Sequence, residues 1–124
     1  MNLNLYQGAT AAILKAPKQI TADTYGPVVE ITDYTGIARV DVIVTHDSGA
    51  TPTMTVSAYT ATDSTDTFTA VSGASASFTG TNEVKSFALD LRACKTHIKL
   101  LFDITGAGTK YTVAATGVFI GRGY

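Results

Sequence analysis

His97-Ile98-Lys99-Leu100-Leu101-Phe102-Asp103-Ile104 places Ile98, Leu100, Phe102 and Ile104 at every second position, with His97, Lys99 and Asp103 between them. Successive side chains of an extended chain point to opposite faces, so this row of apolar residues has the period of a strand with one face buried. The same pattern recurs on either side of it. Val40, Val42 and Val44 form one row, and Phe87, Leu89 and Leu91 another. Met54, Val56 and Ala58 alternate with Thr53, Thr55, Ser57 and Tyr59. A fifth row lies between residues 111 and 120. There Val113 and Ala115 share a face, and Val118 and Ile120 join it only if one residue is skipped, which predicts a bulge at Gly117.

Between these rows stand turn formers. Asp47-Ser48-Gly49, Asp63-Ser64-Thr65-Asp66, Thr79-Gly80-Thr81-Asn82 and Gly106-Ala107-Gly108 combine side-chain hydrogen bonding with the open dihedrals of Gly. The pattern predicts strands over residues 28–32, 38–45, 53–60, 68–71, 74–79, 84–91, 96–105 and 111–120. It places a turn at 33–37, pairs 68–71 with 53–60 as a hairpin, and joins the last two strands through a hairpin loop at 106–108. No segment of useful length has a helical period. The fold class that follows is all-β, an antiparallel two-sheet β-sandwich or jelly roll of seven or eight strands.

Residues 1 to 24 do not keep a sustained period. Pro17 and Pro27 disfavour a continuing helix, and the segment is expected to be an extended N-terminal arm or edge segment, with one sandwich domain over residues 25–124. At 124 residues there is room for one core. Leu3, Leu5, Tyr6, Ile13 and Leu14 are apolar yet lie outside the regular strand pattern. A solvated tail does not normally carry so many such residues. They are therefore the candidate assembly residues. Two destinations are open to them, the bottom of the sandwich in the same molecule or an exposed strand edge of a neighbouring subunit.

Charge narrows the function classes. Nine basic and ten acidic residues leave a net charge of −1, with no excess cation to displace counterions from a phosphate backbone, so nucleic acid is not an expected partner. The apolar stretch 8–14 is too short to span a bilayer, and neither a membrane span nor a secretory signal is expected. Charged residues make up only 15% of the chain, while Thr fills about one position in six, giving a polar, nearly uncharged surface suited to packing against protein. A single cysteine, Cys94, excludes an internal disulfide framework.

Candidate chemistry is sparse. His46-Asp47-Ser48 brings triad residue types together, but consecutive residues of a turn do not converge as a hydrolytic triad must. Asp63 and Asp66 offer two carboxylates where calcium takes six to eight oxygen ligands. Cys94 and His97 lack the second ligand pair of a zinc site. No cofactor or metal is expected, and the chain is not expected to be an enzyme. The scattered tyrosines leave a sugar-binding platform as the main alternative, centred on Tyr59 and its outward neighbours.

From Ala22 onward the chain resembles the small virion proteins of tailed bacteriophages, the head decoration or cement proteins and related β-sandwich tail components. The resemblance runs through Val28-Val29-Glu30-Ile31-Thr32-Asp33-Tyr34, Val56-Ser57-Ala58-Tyr59, the polar tip at 63–66 and Phe68-Thr69-Ala70-Val71. It continues through Leu89-Asp90-Leu91-Arg92-Ala93-Cys94-Lys95-Thr96-His97-Ile98-Lys99-Leu100 and the closing Val118-Phe119-Ile120-Gly121-Arg122-Gly123-Tyr124. It implies a homo-oligomer, with a trimer favoured, that binds a major capsid protein in the virion after synthesis in the host bacterial cytoplasm. The alternative is a glycan-binding or structural module of a phage tail or host-recognition apparatus.

Overall fold

In the computed structural model, residues 9–49, 53–105 and 109–121 are described. Their strands are β1 (Ala9–Ile20), β2 (Thr24–Tyr25), β3 (Val29–Glu30), β4 (Tyr34–Ser48), β5 (Met54–Ala61), β6 (Thr69–Phe78), β7 (Asn82–Asp90), β8 (His97–Ile104) and β9 (Lys110–Gly121). One short 3-10 turn, Leu91–Ala93, links β7 to β8. The first sheet has the order β1-β9-β4-β7, and the second β2-β8-β5-β6 with β3 also on β8. All pairings are antiparallel, and the two sheets pack face to face as a β-sandwich.

The core is where the apolar rows meet. Val40, Val42 and Val44 from β4 and Tyr111, Val113, Ala115 and Phe119 from β9 face Met54, Val56 and Ala58 from β5 and Ile98, Leu100 and Phe102 from β8. Each fully buried side chain of this size contributes about 1.5–3 kcal/mol. The buried Thr60 is satisfied at both ends of its hydroxyl, donating to the His97 carbonyl at 2.9 Å and accepting from the Lys95 amide at 2.8 Å. It thereby fixes the exit of the 3-10 turn against β5.

Four expectations are corrected. There is no bulge in β9 at Gly117, which pairs in register with Ala12 on one side and Val40 on the other. Phe119, not Val118 or Ile120, is the inward residue, and Gly117 holds a core position because a Cβ there would lie 2.7 Å from the Phe119 ring and 2.9 Å from Leu14 Cδ1. The turn expected at 33–37 is largely strand: β4 starts at Tyr34, and two extra residues around Gly36 (φ 75°) form an irregularity against β9. Residues 68–71 and 74–79 merge into the single strand β6, kinked at Gly73 (φ 78°), while still pairing with β5 as a hairpin. Finally, β8 and β9 belong to different sheets, so their connection crosses the sandwich and is not a hairpin.

β1 also changes the account of the N-terminal segment. Residues 9–20, placed by sequence in an arm of residues 1–24, pair along β9 and bury Leu14 and Ile20, so the sandwich begins at β1 and not at residue 25. Two register shifts, at Leu14 and around Ala16-Pro17, let this edge strand carry a proline that no central strand would accept. Opposite the first of them, Gly26 donates its amide to Leu100 and passes so close to Leu14 that a Cβ would stand 2.2 Å from the Leu14 carbonyl oxygen.

Candidate functional site

The candidate assembly residues separate. Leu14 is 2% exposed and consumed by the core of its own chain, Ile13 is 63% exposed on the outer face of β1, and Leu3, Leu5 and Tyr6 lie outside the described residues.

Ile13 belongs to a larger feature. The rungs of the first sheet can be followed across all four strands from the inward row Ala12, Gly117, Val40 and Phe87. The residues on either side of that row point outward. One outward row runs Ala11, Val118, Arg39, Ala88, and the next Ile13, Thr116, Asp41, Ser86. Beyond them lie Ile37 and Ile120 at one end and Ala114, Ile43 and Val84 at the other. Of the eight large apolar side chains exposed among the described residues, six are on this face: Ile13, Ile37, Ile43, Val84, Val118 and Ile120. Sequence reasoning named only Ile13 among them for assembly. The signal lay in Ile37 and Ile43, which share the outward parity of the strand whose inward parity is carried by the valines.

The charge within this face is self-contained. Arg39 Nε donates to Asp41 Oδ1 at 2.9 Å, and the Ser86 hydroxyl donates to the same oxygen. The Ser86 hydrogen bond, with the Arg39 guanidinium beside it, holds the Asp41 carboxyl below the usual range. Next to this group, Ile37, Ala38, Arg39, Ser86, Phe87 and Ala88 line a shallow, open depression of about 310 Å³ between β4 and β7.

The second sheet differs in character. Its outer face carries Thr55, Ser57, Tyr59, Lys99, Leu101 and Asp103. Lys99 Nζ stands 3.9 Å from the Tyr25 ring centroid and 4.3 Å from that of Phe68, and Tyr25 meets Tyr59 edge to face at 6.0 Å. Tyr59, proposed from sequence as the centre of a sugar platform, is therefore surrounded by Tyr25, Lys99 and Phe68. A cation over a ring face is a favourable contact that occupies that face, so Lys99 covers part of the aromatic surface that a sugar would use.

The other candidates are placed apart from one another. Asp47 accepts from Gln19 Nε2 at 2.9 Å and Thr112 Oγ1 at 2.6 Å, binding β1 and β9 to β4, while the His46 ring packs on Tyr111 at 5.2 Å. Asp63 accepts from the Thr65 amide and Asp66 from the Thr67 amide and the Thr62 hydroxyl, so both carboxylates are spent on their own turn. Both are pulled below the usual carboxylate range, first by those amides. Cys94 donates to the Asp90 carbonyl, and the Thr96 hydroxyl, not Cys94, is beside His97 Nδ1. Burial, assisted by the nearby Asp90 charge, pushes the Cys94 thiol up to about 11. Among the described residues, His46 Nε2 and Thr109 Oγ1 are buried without hydrogen-bond partners at one end of the first sheet.

No family model and no curated protein matches the sequence. Solved structures share its fold. The infectious bursal disease virus VP2 subviral particle matches with a TM-score of 0.60 at 12% identity, over 91% of this chain and 32% of that one. The SPBc2 prophage-derived protein YomS matches with a TM-score of 0.51 at 19% identity, over 90% of this chain and 92% of that one. The CBM22-1–GH10 modules of Clostridium thermocellum endo-1,4-beta-D-xylanase 10B, complexed with xylohexaose, match with a TM-score of 0.52 at 12% identity, over 96% and 27%. This chain thus spans about a third of the VP2 chain and nearly all of YomS. The architecture is one that viral capsid proteins, a prophage protein and a carbohydrate-binding enzyme module have in common.

Proposed function

We propose that the chain is a non-enzymatic structural protein of a tailed-phage virion, a cement or decoration protein that binds the major capsid protein and stabilises the head. The observation that carries this reading is the outer face of the first sheet, where six large apolar side chains surround one internally neutralised ion pair. Six large apolar side chains exposed on one sheet face mark an association surface. The fold shared with viral capsid proteins and with a prophage protein supports the same direction.

The mechanism is mechanical. A small protein that touches several capsid subunits at once gains avidity of about 10² to 10⁴ without any new kind of contact, because every contact after the first is intramolecular. Co-sedimentation of the purified protein with expanded heads of its phage tests this. Saturable binding that resists the salt concentrations which disrupt exposed ion pairs is expected, and protein left in the supernatant would reject the role.

A second reading, a glycan-binding module of a tail or host-recognition apparatus, is favoured by the aromatic cluster of Tyr25, Tyr59 and Phe68 and by the fold shared with a xylanase module. Binding on a glycan array that disappears in Tyr59→Ala would select it over the cement role.

A further inference from the structure

We infer that the outer face of the first sheet packs against the same face of a second copy of this chain across a two-fold axis. The inference deepens the reading of that face as an association surface, and it does not depend on the virion assignment.

The row Ala12, Gly117, Val40 and Phe87 crosses all four strands. A two-fold axis lying along this row, between two facing sheets, reverses strand direction and stacks each strand on its own counterpart. On β4 it carries position 39 onto position 41 and position 37 onto position 43. Arg39 of one copy then lies over Asp41 of the other in both directions, and Ile37 lies over Ile43. Arg39 and Asp41 are a cation and an anion two residues apart on the same strand, which is the spacing that such an axis makes self-complementary. A two-fold axis running along β4 would instead oppose Arg39 to Arg39 and Asp41 to Asp41.

Two of the other three strands fit the same axis by size, while on β7 Val84 lies over Asp90. On β1, Ile13 meets Ala11 of the other copy. On β9, Ile120 lies over Ala114. Large side chains thus face small ones, as interdigitating layers require. The shallow depression bounded by Ile37, Arg39, Ser86 and Ala88 is where Ile43 and Asp41 of the second copy would lodge.

The area suffices. Four strands at a spacing of about 4.8 Å and nine residues at about 3.3 Å each give roughly 600 Å² per face. Two such faces bury about 1,200 Å², the lower bound for a stable specific interface. A two-fold contact between identical patches closes on itself and forms a dimer, not the trimer implied by the resemblance to cement proteins. Such a dimer occupies this face and leaves both second sheets exposed, so a dimer that binds heads would do so through its second sheets.

Light scattering behind a sizing column, on the full chain over a concentration series, tests the inference. A mass of twice 12.9 kDa is expected. Arg39→Asp and Asp41→Arg should each weaken the dimer at least tenfold, and the double variant, which exchanges the two charges, should restore it. Circular dichroism confirms that each variant is folded. A monomeric or trimeric native chain would overturn the inference, as would single variants that dimerise unchanged. A double variant that fails to recover would overturn the antiparallel register. Binding to heads is read separately by the co-sedimentation assay, so failure of the dimer and failure of the cement role are distinguishable.

Discussion

Ile43 on β4 and Val84 on β7 stand directly opposite each other in the register of the first sheet, 53% and 68% exposed. A cross-strand pair of this kind stabilises its own sheet only slightly, by a few tenths of a kcal/mol to about 1 kcal/mol. Burial of each side chain against another molecule is worth about 1.5–3 kcal/mol. The pair therefore has more to contribute to association than to folding. Changing both to Thr, which preserves the β-branch, should leave urea unfolding of the monomer within about 0.5 kcal/mol. Sedimentation equilibrium should show self-association weakened by at least tenfold. A large loss of monomer stability would assign the pair to the fold alone.

Gly117 and Leu14 compete for one volume. Gly117→Ala forces a methyl group to within 2.7 Å of the Phe119 ring and 2.9 Å of Leu14 Cδ1, and overpacking of this kind costs about 1–3 kcal/mol. Phe119 is itself stacked on Tyr34 at 5.0 Å and has little room to yield. Leu14→Ala alone should cost about 2–5 kcal/mol through the cavity it leaves. The double variant should lose less than the sum of the two, since the new methyl enters the vacated space. Chemical denaturation of the four proteins measures the coupling, and strict additivity would contradict the packing described.

Asp103 carries the pH prediction. Burial, then the Asp23 charge and its hydrogen bond, raise the Asp103 pKa, and Asp23 is held in place by accepting from the Ile104 amide at 2.9 Å. A raised carboxyl pKa means that the folded state binds its proton more tightly than the unfolded state does. Ionised Asp103 therefore destabilises the fold above its folded pKa, and the penalty disappears below the unfolded value of about 4. Asp103→Asn should raise Tm at pH 7 and lose that advantage near pH 3. The carboxylates of Asp41, Asp47 and Glu83 are shifted the opposite way, first by the Ser86 hydroxyl, the Thr112 hydroxyl and the Gly80 amide respectively. Their contribution is complete above about pH 4 and is lost as pH falls through their depressed values. An equal gain from Asp103→Asn at both pH values would contradict the assignment.

Cys94 should be slow to react. With its pKa raised from 9.0 to about 11, its thiolate fraction at pH 7 is about a hundredfold below that of an unperturbed thiol. Alkylation by iodoacetamide should fall by a similar factor relative to the same protein in urea. Equal rates in the folded and unfolded states would place the thiol in solvent.

Much of the fold was legible because strand periodicity is local. The row Ile98, Leu100, Phe102 needs only its own spacing to declare which face is buried, and the valines of β4 do the same. What failed was whatever depended on a partner strand. Gly117 interrupts the apolar row of β9, so Val118 and Ile120 looked like its continuation, whereas Leu14 and Phe119 fill the space above the glycine. Gly36 looked like a turn because its positive φ is equally suited to an irregularity inside a strand. β1 was hidden by Pro17 and by two register shifts that break its alternation, features an edge strand tolerates and a central strand does not. The association face was half legible. Ile37 and Ile43 were visible as apolar residues on the polar parity of β4, but their neighbours Val84, Val118 and Ile13 become one surface only when the order β1-β9-β4-β7 is known.

A structural component of a virion travels with the particle, and quantitative mass spectrometry of gradient-purified particles reads this. The chain is expected in intact particles at a fixed ratio to the major capsid protein, retained after washing in high salt. Its absence from purified particles, in a lysate where the chain is abundant, would rule out the virion role.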